Sequence, residues 1–233
     1  VHELASALGL QKKLFLLLPS MAAAAAVPFC NEEFQFLTYC LYTLIVFSAL
    51  IVYHHETTFK EVAVLYSMVV IIPCALHTLV SLRELNRGHG MFYVLIAVLS
   101  AWVADVGAYF AGTLFGKHKL CPEISPKKTI EGLIGGTVVD VLVMLLCGVW
   151  FSAVFYRGAV EVNYLALFLI GFFGSFISVL GDLSFSIIKR SCHIKDFGQV
   201  IPGHGGVLDR FDSVIFAVPF VYLLVTFLPL AGV

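Results

Sequence analysis

The chain has 233 residues, of which 60% are hydrophobic and only 12% are charged, whereas a soluble domain carries about 25% charged residues. This deficit is typical of a protein whose side chains face lipid, where ionisable groups are costly, and it predicts an integral membrane protein. The net charge of −1 gives no indication of a nucleic-acid partner, and we expect none. The six cysteines include no CxxC pair, which argues against a disulfide framework or a zinc site.

Seven apolar runs approach or reach the roughly 20 residues that a helix needs to cross a bilayer. In chain order they are 14–30, 36–53, 62–82, 91–115, 130–156, 163–188 and 213–231. The first run has the charge-then-apolar order of a signal peptide, but six more runs follow it, so we interpret it as a transmembrane helix. The chain begins with Val1 rather than Met, which leaves open whether an N-terminal piece is missing.

The runs predict an all-α integral membrane protein with about seven transmembrane helices. Two polar loops, 116–129 and 189–212, then lie on one side of the membrane, where we expect them to form a site at its surface. We divide the chain into N-terminal transmembrane helices over 1–90 and a region over 91–233 that carries both loops. No internal repeat is evident.

The basic residues are distributed unevenly between the two sides of the predicted bundle. One side holds Arg83, Arg87 and Arg157, and the other side holds the remaining eleven of the 14 Lys and Arg residues. Cytoplasmic segments carry an excess of Lys and Arg. This bias predicts a cytoplasmic N-terminus, with both polar loops facing the cytoplasm.

Five aspartates within or beside the apolar runs are candidates for function, because an acid in a membrane is costly and needs a partner. They are Asp105, Asp140, Asp182, Asp209 and Asp212. Asp209 and Asp212 share a face if the last helix begins near Val207, and paired carboxylates suit Mg²⁺. The alternative is that acids at a helix start interact with the helix dipole. For Asp105 the sequence leaves open metal binding, contact with a polar head group and a structural pair. Asp140 has no evident polar neighbour, so we interpret it as structural.

Polar residues follow Asp182 along the sixth predicted span. Ser186 and Lys189 come four and seven residues later, on the same helical face, a spacing that a structural Asp–Lys pair also explains. The stretch "IPGHGGVLDR" comes next, and its glycines allow backbone N–H groups to approach a phosphate. The residues here that suit phosphate oxygens are Lys189, Arg190, Lys195, His204, Gly205, Gly206 and Arg210, although a lone histidine is more often structural. Acids and bases together predict a metal–polyphosphate site.

The other polar loop contains "ISPKKTIEG". Ser125, Lys127 and Lys128 precede a helix that we expect to begin near Ile130, and lysines beside a helix N-terminus favour an anion. Lysines that flank a membrane span on its cytoplasmic side are the alternative explanation.

Acids for a divalent cation and bases for phosphates, both at a membrane surface, predict phosphoryl or nucleotidyl transfer to a lipid. Such reactions depend on positioning and on charge neutralisation, which metal ions, Lys and Arg supply. The chain has no GxxxxGK[ST] motif, which argues against a P-loop enzyme. The residues alone do not choose between nucleotides or between lipids.

The run "SIIKRSCHIKDFGQVIPGHGGVLDRFD", from Ser186 to Asp212, resembles the signature of the phosphatidate cytidylyltransferase (CDP-diacylglycerol synthase) family. The pattern S-x-x-K-R-x4-K-D-x-G-x2-I-P-x-H-G-G-x-x-D-R-x-D is met at each fixed position. The segments "DVGAYFAGTLFGKHKL" and "ISPKKTIEG" are also similar to that family, so the resemblance extends from about Trp102 to the C-terminus. One departure is Phe185, where members of the family often carry Glu.

The resemblance implies transfer of the cytidylyl group of CTP to phosphatidic acid, giving CDP-diacylglycerol and pyrophosphate in phospholipid biosynthesis. It implies a requirement for Mg²⁺, with a monovalent cation such as K⁺ as a candidate second ion. The catalytic residues it implies are Asp182, Lys189, Asp209 and Asp212, and the metal ligands are Asp182, Asp209 and Asp212, with Asp105 as a further candidate. It implies that Lys189 and Arg190 neutralise phosphates and that Lys127 and Lys128 hold either the triphosphate or the lipid phosphate. The full set of residues that we expect to bind substrate is Ser125, Lys127, Lys128, Ser186, Arg190, Lys195, His204, Gly205, Gly206 and Arg210.

The same resemblance implies that 91–233 is the catalytic transmembrane region and that the protein forms a homodimer in the bilayer. We expect a bacterial plasma membrane with the active site on its cytoplasmic side. Another CTP-dependent lipid enzyme, such as a polyprenol kinase, is an alternative, and it would release CDP rather than pyrophosphate. An ion-coupled transporter is a second alternative, but its acids would follow a path across the membrane, whereas most ionisable groups here gather at one face.

Overall fold

A computed structural model of the protein describes residues 1–85, 88–155, 160–198 and 205–231. Its helices are α1 (His2–Ala7), α2 (Leu14–Ala26) with a 3-10 turn after it (Val27–Phe29), α3 (Glu32–Val52), α4 (Phe59–Leu85), α5 (Gly90–Phe115), α6 (Ile130–Phe155), α7 (Tyr164–Ser191) and α8 (Leu208–Phe227), and its strands are β1 (Lys119–Cys121) and β2 (Ser125–Thr129). Within the described residues, the six helices α3 to α8 are long and apolar enough to cross a membrane. The predicted fold class, an all-α integral membrane protein, is confirmed.

Each of the seven predicted spans corresponds to one helix, α2 to α8, but the count of seven crossings is not confirmed. Helix α2 has 13 residues and is therefore about 20 Å long, which is less than the roughly 30 Å of a hydrocarbon core. The second polar loop is also shorter than predicted. Helix α7 continues to Ser191, with Lys189 and Arg190 in its last turn, where cations interact favourably with the helix dipole.

The helix ends and surfaces follow from the local sequence. The side chain of Asn31 accepts a hydrogen bond of 3.2 Å from Phe34 N and caps α3, as a short polar side chain does at a helix start. Prolines lie inside α2, α4 and α8 at Pro19, Pro73 and Pro219, which membrane helices tolerate. Many large apolar side chains are exposed on the spanning helices, as a lipid-facing surface requires.

The sequence interpretation missed a β-hairpin between α5 and α6. Strands β1 and β2 pair antiparallel, with Lys119 opposite Thr129 and Cys121 opposite Ser125. Both strands are short, and β2 reads "SPKKT", so neither has the apolar alternation by which strands are recognised. Helix α6 begins at Ile130, as predicted.

The chain forms two compact units, and each contains segments that are distant in sequence. The first unit consists of Val1–Val80 and Lys189–Asp209, and the second consists of Ser81–Ile188 and Arg210–Val233. The division of the chain near residue 90 stays a prediction. We describe the two units separately.

In the second unit, α5 and α6 pack closely because small residues face each other. A Cβ atom at Gly132 would lie 2.8 Å from the carbonyl oxygen of Ala108, and one at Gly136 would lie 2.7 Å from that of Ala104. Small residues of this kind allow the backbones of membrane helices to approach each other. The hairpin connects these two helices, so their packing holds its two ends in place.

In the first unit, the N-terminal segment packs against α3. Ser20 Oγ and Tyr42 Oη are 3.0 Å apart and both residues are buried. The ring of Phe15 stacks on that of Tyr53 with 3.9 Å between centroids. Leu4 in α1 is fully buried, so the first helix is part of this packing.

Candidate active site

An ion pair links the hairpin to α7 in the second unit. Lys128 Nζ lies 2.6 Å from Asp182 Oδ2, and the two side chains are 20% and 28% exposed. The other carboxylate oxygen, Asp182 Oδ1, accepts a hydrogen bond of 3.2 Å from Ser186 Oγ, one turn along the helix. Three predicted site residues are therefore in contact; Asp182 is partly exposed, whereas Ser186 and the Nζ atom of Lys128 are buried.

A second set of acids in the same unit is joined by serine hydroxyls. Ser213 Oγ donates to Asp105 Oδ2 at 2.5 Å and lies 3.3 Å from Asp212 Oδ1. Asp212 Oδ1 also accepts from Ser213 N at 2.8 Å. Ser178 Oγ lies 3.2 Å from Asp105 Oδ1. We call Asp105, Ser178, Asp212 and Ser213 the acidic network.

Helices α7 and α8 approach closely beside these acids. A Cβ atom at Gly181 would lie 2.8 Å from the carbonyl oxygen of Asp212, so only glycine fits there without a shift of the backbone. Gly181 directly precedes Asp182 in α7, and Asp212 belongs to α8. The close approach therefore occurs where both helices carry their predicted site residues.

The position of Lys128 is fixed by the start of α6. Thr129 Oγ1 accepts a hydrogen bond of 3.1 Å from Gly132 N and caps the helix. Glu131 binds the other end of the hairpin, because its carboxylate accepts from the backbone N–H groups of Lys117 and His118 at 3.1 Å and lies 2.6 Å from His118 Nδ1. Both ends of the hairpin are thus attached to the first turn of α6.

The first unit contains a buried ion pair from the signature. Lys189 Nζ donates to Asp209 Oδ1 at 2.7 Å, and the two side chains are only 9% and 5% exposed. Asp209 Oδ2 accepts from two backbone N–H groups, those of Phe197 at 2.8 Å and Gly206 at 3.0 Å. One carboxylate therefore holds both ends of the segment between Phe197 and Gly206.

Two glycines of this turn have conformational reasons to be glycine. Gly205 has φ +84°, in the left-handed region that other residues adopt at a cost. Gly206 is buried, and a Cβ atom there would lie 2.8 Å from Gly198 N. That these glycines let the backbone approach a phosphate stays a prediction; the close approach seen here is to the protein's own atoms.

The remaining predicted residues lie at the surface of their segments. Arg190, Lys195, Arg210 and Lys127 are exposed and Ser125 is half-buried. Arg190 donates to the carbonyl oxygen of Ile194 at 3.2 Å, and Trp102 donates to that of Arg210 at 3.4 Å. His204 lies outside the described residues. Lys127 and Lys128 are adjacent in β2 and therefore project to opposite faces of the strand.

The departure at Phe185 has a structural consequence. The side chain is fully buried, and its ring meets that of Phe216 edge to face with 6.4 Å between centroids. Where members of the family often carry Glu, this chain thus has an apolar contact between α7 and α8.

Sequence reasoning missed Ser178, Ser213, Thr129 and the backbone N–H of Phe197. The signal for Ser178 was present, because Ser175, Ser178, Asp182, Ser186 and Lys189 follow one another at intervals of three or four residues along α7, which places them on one helical face. The contact of Ser213 with Asp105 joins residues 108 positions apart, and no local pattern indicates it.

Asp140 is fully buried. Within the described residues, neither of its carboxylate oxygens has a hydrogen-bond partner, and the same holds for Ser100 Oγ. Its interpretation as a structural residue stays a prediction.

The sequence model of the cytidylyltransferase family matches residues 2–228, which is nearly the whole chain. The chain belongs to the cytidylyltransferase family. The family recognised from the signature is confirmed, and the match also includes the N-terminal helices, for which the signature gave no indication.

Three curated relatives of this chain share one name. The chain is 41% identical over 167 residues to a protein of Bacillus subtilis named phosphatidate cytidylyltransferase, a match that includes 72% of this chain and 59% of the relative. It is 43% identical over 139 residues to a protein of that name from Staphylococcus epidermidis and 44% identical to one from Staphylococcus haemolyticus, with 60% of this chain and 51% of the relative matched in each case. The chain thus spans about half to three-fifths of the length of these relatives.

The oxygen donors of the candidate site have the chemistry that Mg²⁺ prefers. Within the described ranges, no group of three His, Cys, Asp or Glu side chains is arranged around a metal position. Mg²⁺ is, however, usually bound by one or two carboxylates together with waters and substrate phosphates. Asp182, which is part-exposed, and the acidic network fit this mode of binding.

Proposed function

We propose that this chain transfers the cytidylyl group of CTP to phosphatidic acid, giving CDP-diacylglycerol and pyrophosphate. The observation that carries the proposal is the combination, in the second unit, of the Lys128–Asp182 ion pair with the acidic network. The acids Asp105, Asp182 and Asp212 lie in α5, α7 and α8, which are long enough to cross a membrane. Lys128 lies in the hairpin that precedes α6. Opposite charges beside a bilayer suit a reaction between a nucleotide and a lipid phosphate. The shared name of the relatives favours phosphatidic acid as the lipid.

In the proposed reaction, a phosphate oxygen of phosphatidic acid attacks the α-phosphorus of CTP. A new P–O bond forms to the lipid, and the bond between the α-phosphorus and the bridging oxygen of the β-phosphate breaks, so pyrophosphate leaves. The protein needs to hold the two phosphates in line and to neutralise their charges. Lys128 and Lys189 are the cations best suited to this role, because each is already held beside a carboxylate.

Mg²⁺ is part of the proposal, with Asp182, Asp209 and Asp212 as its ligands and Asp105 as a further candidate. When bound, the ion would neutralise the triphosphate and polarise the α-phosphate. Asp182 would exchange Lys128 for the metal, which would leave the lysine to contact a phosphate oxygen. A monovalent cation such as K⁺ as a second ion is likewise proposed.

The same proposal includes the predicted contacts with substrate phosphates. The residues that would make them are Ser125, Lys127, Ser186, Arg190, Lys195, His204, Gly205, Gly206 and Arg210. We also propose that the protein forms a homodimer and that its active site lies on the cytoplasmic side of a bacterial plasma membrane. The bacterial origin of the relatives and the excess of basic residues beside both polar loops support this location.

The test uses the purified chain in detergent with CTP labelled on its α-phosphate, phosphatidic acid and Mg²⁺. We expect label to enter the lipid with release of one pyrophosphate for each lipid labelled. Asp209→Asn should abolish the transfer, because it removes the charge that pairs with Lys189 and, in our proposal, binds the metal. Glu33→Gln, which changes an exposed acid in the first turn of α3, is the matched control and should retain the transfer.

Two outcomes would contradict the proposal. Absence of label in the lipid, with a protein that remains monodisperse and helical, would exclude cytidylyl transfer to phosphatidic acid. Release of CDP with phosphorylation of an added polyprenol would assign the chain to the CTP-dependent lipid kinases instead.

A further inference from the structure

The carboxylate of Glu3 contacts the start of α8. Its Oε1 accepts a hydrogen bond of 2.9 Å from Val207 N, and its Oε2 accepts one of 2.8 Å from Leu208 N. The first N–H groups of a helix have no partner within the helix. A carboxylate satisfies them with charge-assisted bonds and also interacts favourably with the helix dipole.

The same carboxylate is enclosed by two signature glycines. A Cβ atom at Gly198 would lie 2.8 Å from Glu3 Oε1, and one at Gly206 would lie 2.8 Å from Glu3 Oε2. At Gly198 the three nearest atoms all belong to the Glu3 side chain. The approach of Glu3 therefore supplies a physical reason for glycine at both positions.

Glu3 is connected to Asp209 through this turn. Gly206 N donates to Asp209 Oδ2, and the next two N–H groups along the chain, those of Val207 and Leu208, donate to Glu3. Three consecutive N–H groups are thus bound by two carboxylates. Because Asp209 follows Leu208 directly, a shift of the turn would move Asp209.

The part of the chain that carries Glu3 is itself anchored. Leu4 and Ala5 in α1 are fully buried, and Leu10 is only 1% exposed. Beyond them, Lys13 Nζ donates to the carbonyl oxygen of Glu56. The carboxylate is therefore held by packed residues and not by a free chain end.

We propose that Glu3 is a positioning residue, which clamps Val207 and Leu208 and thereby orients Asp209 for the reaction. The effect on catalysis rests on the proposed function, whereas the clamp itself does not. The N-terminal segment thus contributes to the site although it lies far outside the signature.

Hydrogen exchange measured by mass spectrometry tests the clamp without any substrate. In Glu3→Gln, one of the two acceptor oxygens becomes an NH₂ group that faces an N–H donor. We expect the amides of peptides covering 205–210 to exchange about 10- to 100-fold faster, the range for loss of a charge-assisted hydrogen bond. Glu33→Gln is the matched control and should leave this exchange unchanged. Wild-type exchange rates in Glu3→Gln would overturn the clamp.

A double-mutant cycle tests the contact with Gly198. Gly198→Ala places a methyl group where the Glu3 carboxylate lies, so it should displace that carboxylate and accelerate exchange at 205–210 much as Glu3→Gln does. The double variant Glu3→Gln/Gly198→Ala should then be no faster than the faster single variant. Effects that multiply would mean that the two residues act independently, and would contradict the proposed contact.

The positioning role is tested by the Mg²⁺ dependence of cytidylyl transfer. A displaced Asp209 should raise the Mg²⁺ concentration at half-maximal rate several-fold in Glu3→Gln, whereas a merely structural defect lowers the rate without moving that concentration. An unchanged Mg²⁺ midpoint with accelerated exchange would retain the clamp and overturn the positioning role. If the wild-type chain transfers no label, the proposed function fails, while the exchange data still decide the clamp.

Discussion

Lys128 Nζ lies 2.6 Å from Asp182 Oδ2, so a lysine of the hairpin that precedes α6 reaches an acid in the last third of α7. The adjacent Lys127 is exposed and projects to the other face of the strand. The sequence does not distinguish these two neighbouring lysines, but in the structure Lys128 is paired with an acid and Lys127 is exposed.

Lys128→Met should reduce kcat/KM for CTP by at least about 100-fold, because removal of a preorganised charge beside a transferred phosphate costs roughly 3 kcal/mol. Lys127→Met should have an effect under about tenfold. Steady-state kinetics with both substrates varied measures the two values. Lys119→Met, at an exposed lysine of β1, is the control. If Lys127→Met and Lys128→Met reduce kcat/KM equally, the face of the strand on which a lysine lies does not determine its role in the reaction.

Ser213→Ala removes the hydroxyl that joins Asp105 and Asp212. We expect a loss of about 1–3 kcal/mol in stability, since a buried carboxylate loses a hydrogen bond, together with lower activity. The apparent melting temperature in detergent and the transfer rate measure these effects. Ser184→Ala removes a hydroxyl that, among the described residues, bonds its own helix at Leu180 O, and this variant should change neither. A melting temperature unchanged by Ser213→Ala would show that the hydroxyl contributes little to the network.

The Lys189–Asp209 pair allows stability and activity to be separated. Lys189→Met leaves the Asp209 carboxylate buried without its cation, which should cost about 3–5 kcal/mol. The double variant Lys189→Met/Asp209→Leu removes both charges and should recover only part of this loss, because Phe197 N and Gly206 N lose their acceptor; it should have no activity. Thermal unfolding and transfer assays on the single and double variants measure both quantities. Activity in the double variant would exclude both residues from the reaction.

Phe185→Glu would restore the residue that the family often carries. Because Phe185 is fully buried against Phe216, we expect a buried carboxyl group here to cost several kcal/mol. Phe185→Leu should cost only about 1–2 kcal/mol, as a volume change between apolar residues. Thermal unfolding compares the two variants. If Phe185→Glu is as stable as Phe185→Leu, the position can accommodate an acid, and its packing is not what excludes one.

Sequence alone predicted the positions of the spanning helices well, because runs of lipid-compatible residues are long and continuous. For example, the span predicted as 91–115 is α5 at Gly90–Phe115. It also predicted that Asp182 and Ser186 share a face, since both lie on one helix, and they are hydrogen-bonded. The extension of α7 to Ser191 was missed, because charged residues in a last helical turn resemble a polar loop.

The partners of the site residues could not be predicted in the same way. Lys128 and Asp182 are 54 positions apart, and they meet only because tertiary packing places the hairpin beside α7. The contribution of Glu3 depends on a contact across 204 positions. Such contacts are set by tertiary packing, whereas hydrophobic periodicity reports only on local structure.

Thr129, which follows the two lysines, caps α6 through Gly132 N, and this bond has a consequence for how the chain tolerates insertions and deletions. Because side chains alternate along a strand, the lysine that faces Asp182 is determined by counting backwards from the cap. Deletion of Lys128 would place Lys127 directly before the cap, and insertion of one residue between Lys128 and Thr129 would turn Lys128 to the opposite face of the strand. A residue lost from the turn at Pro122–Ile124 would leave Lys128 where it is. The distance in sequence from the start of α6 therefore determines which lysine faces Asp182. The length of the turn does not affect this choice, so the turn is where the hairpin can tolerate insertions and deletions.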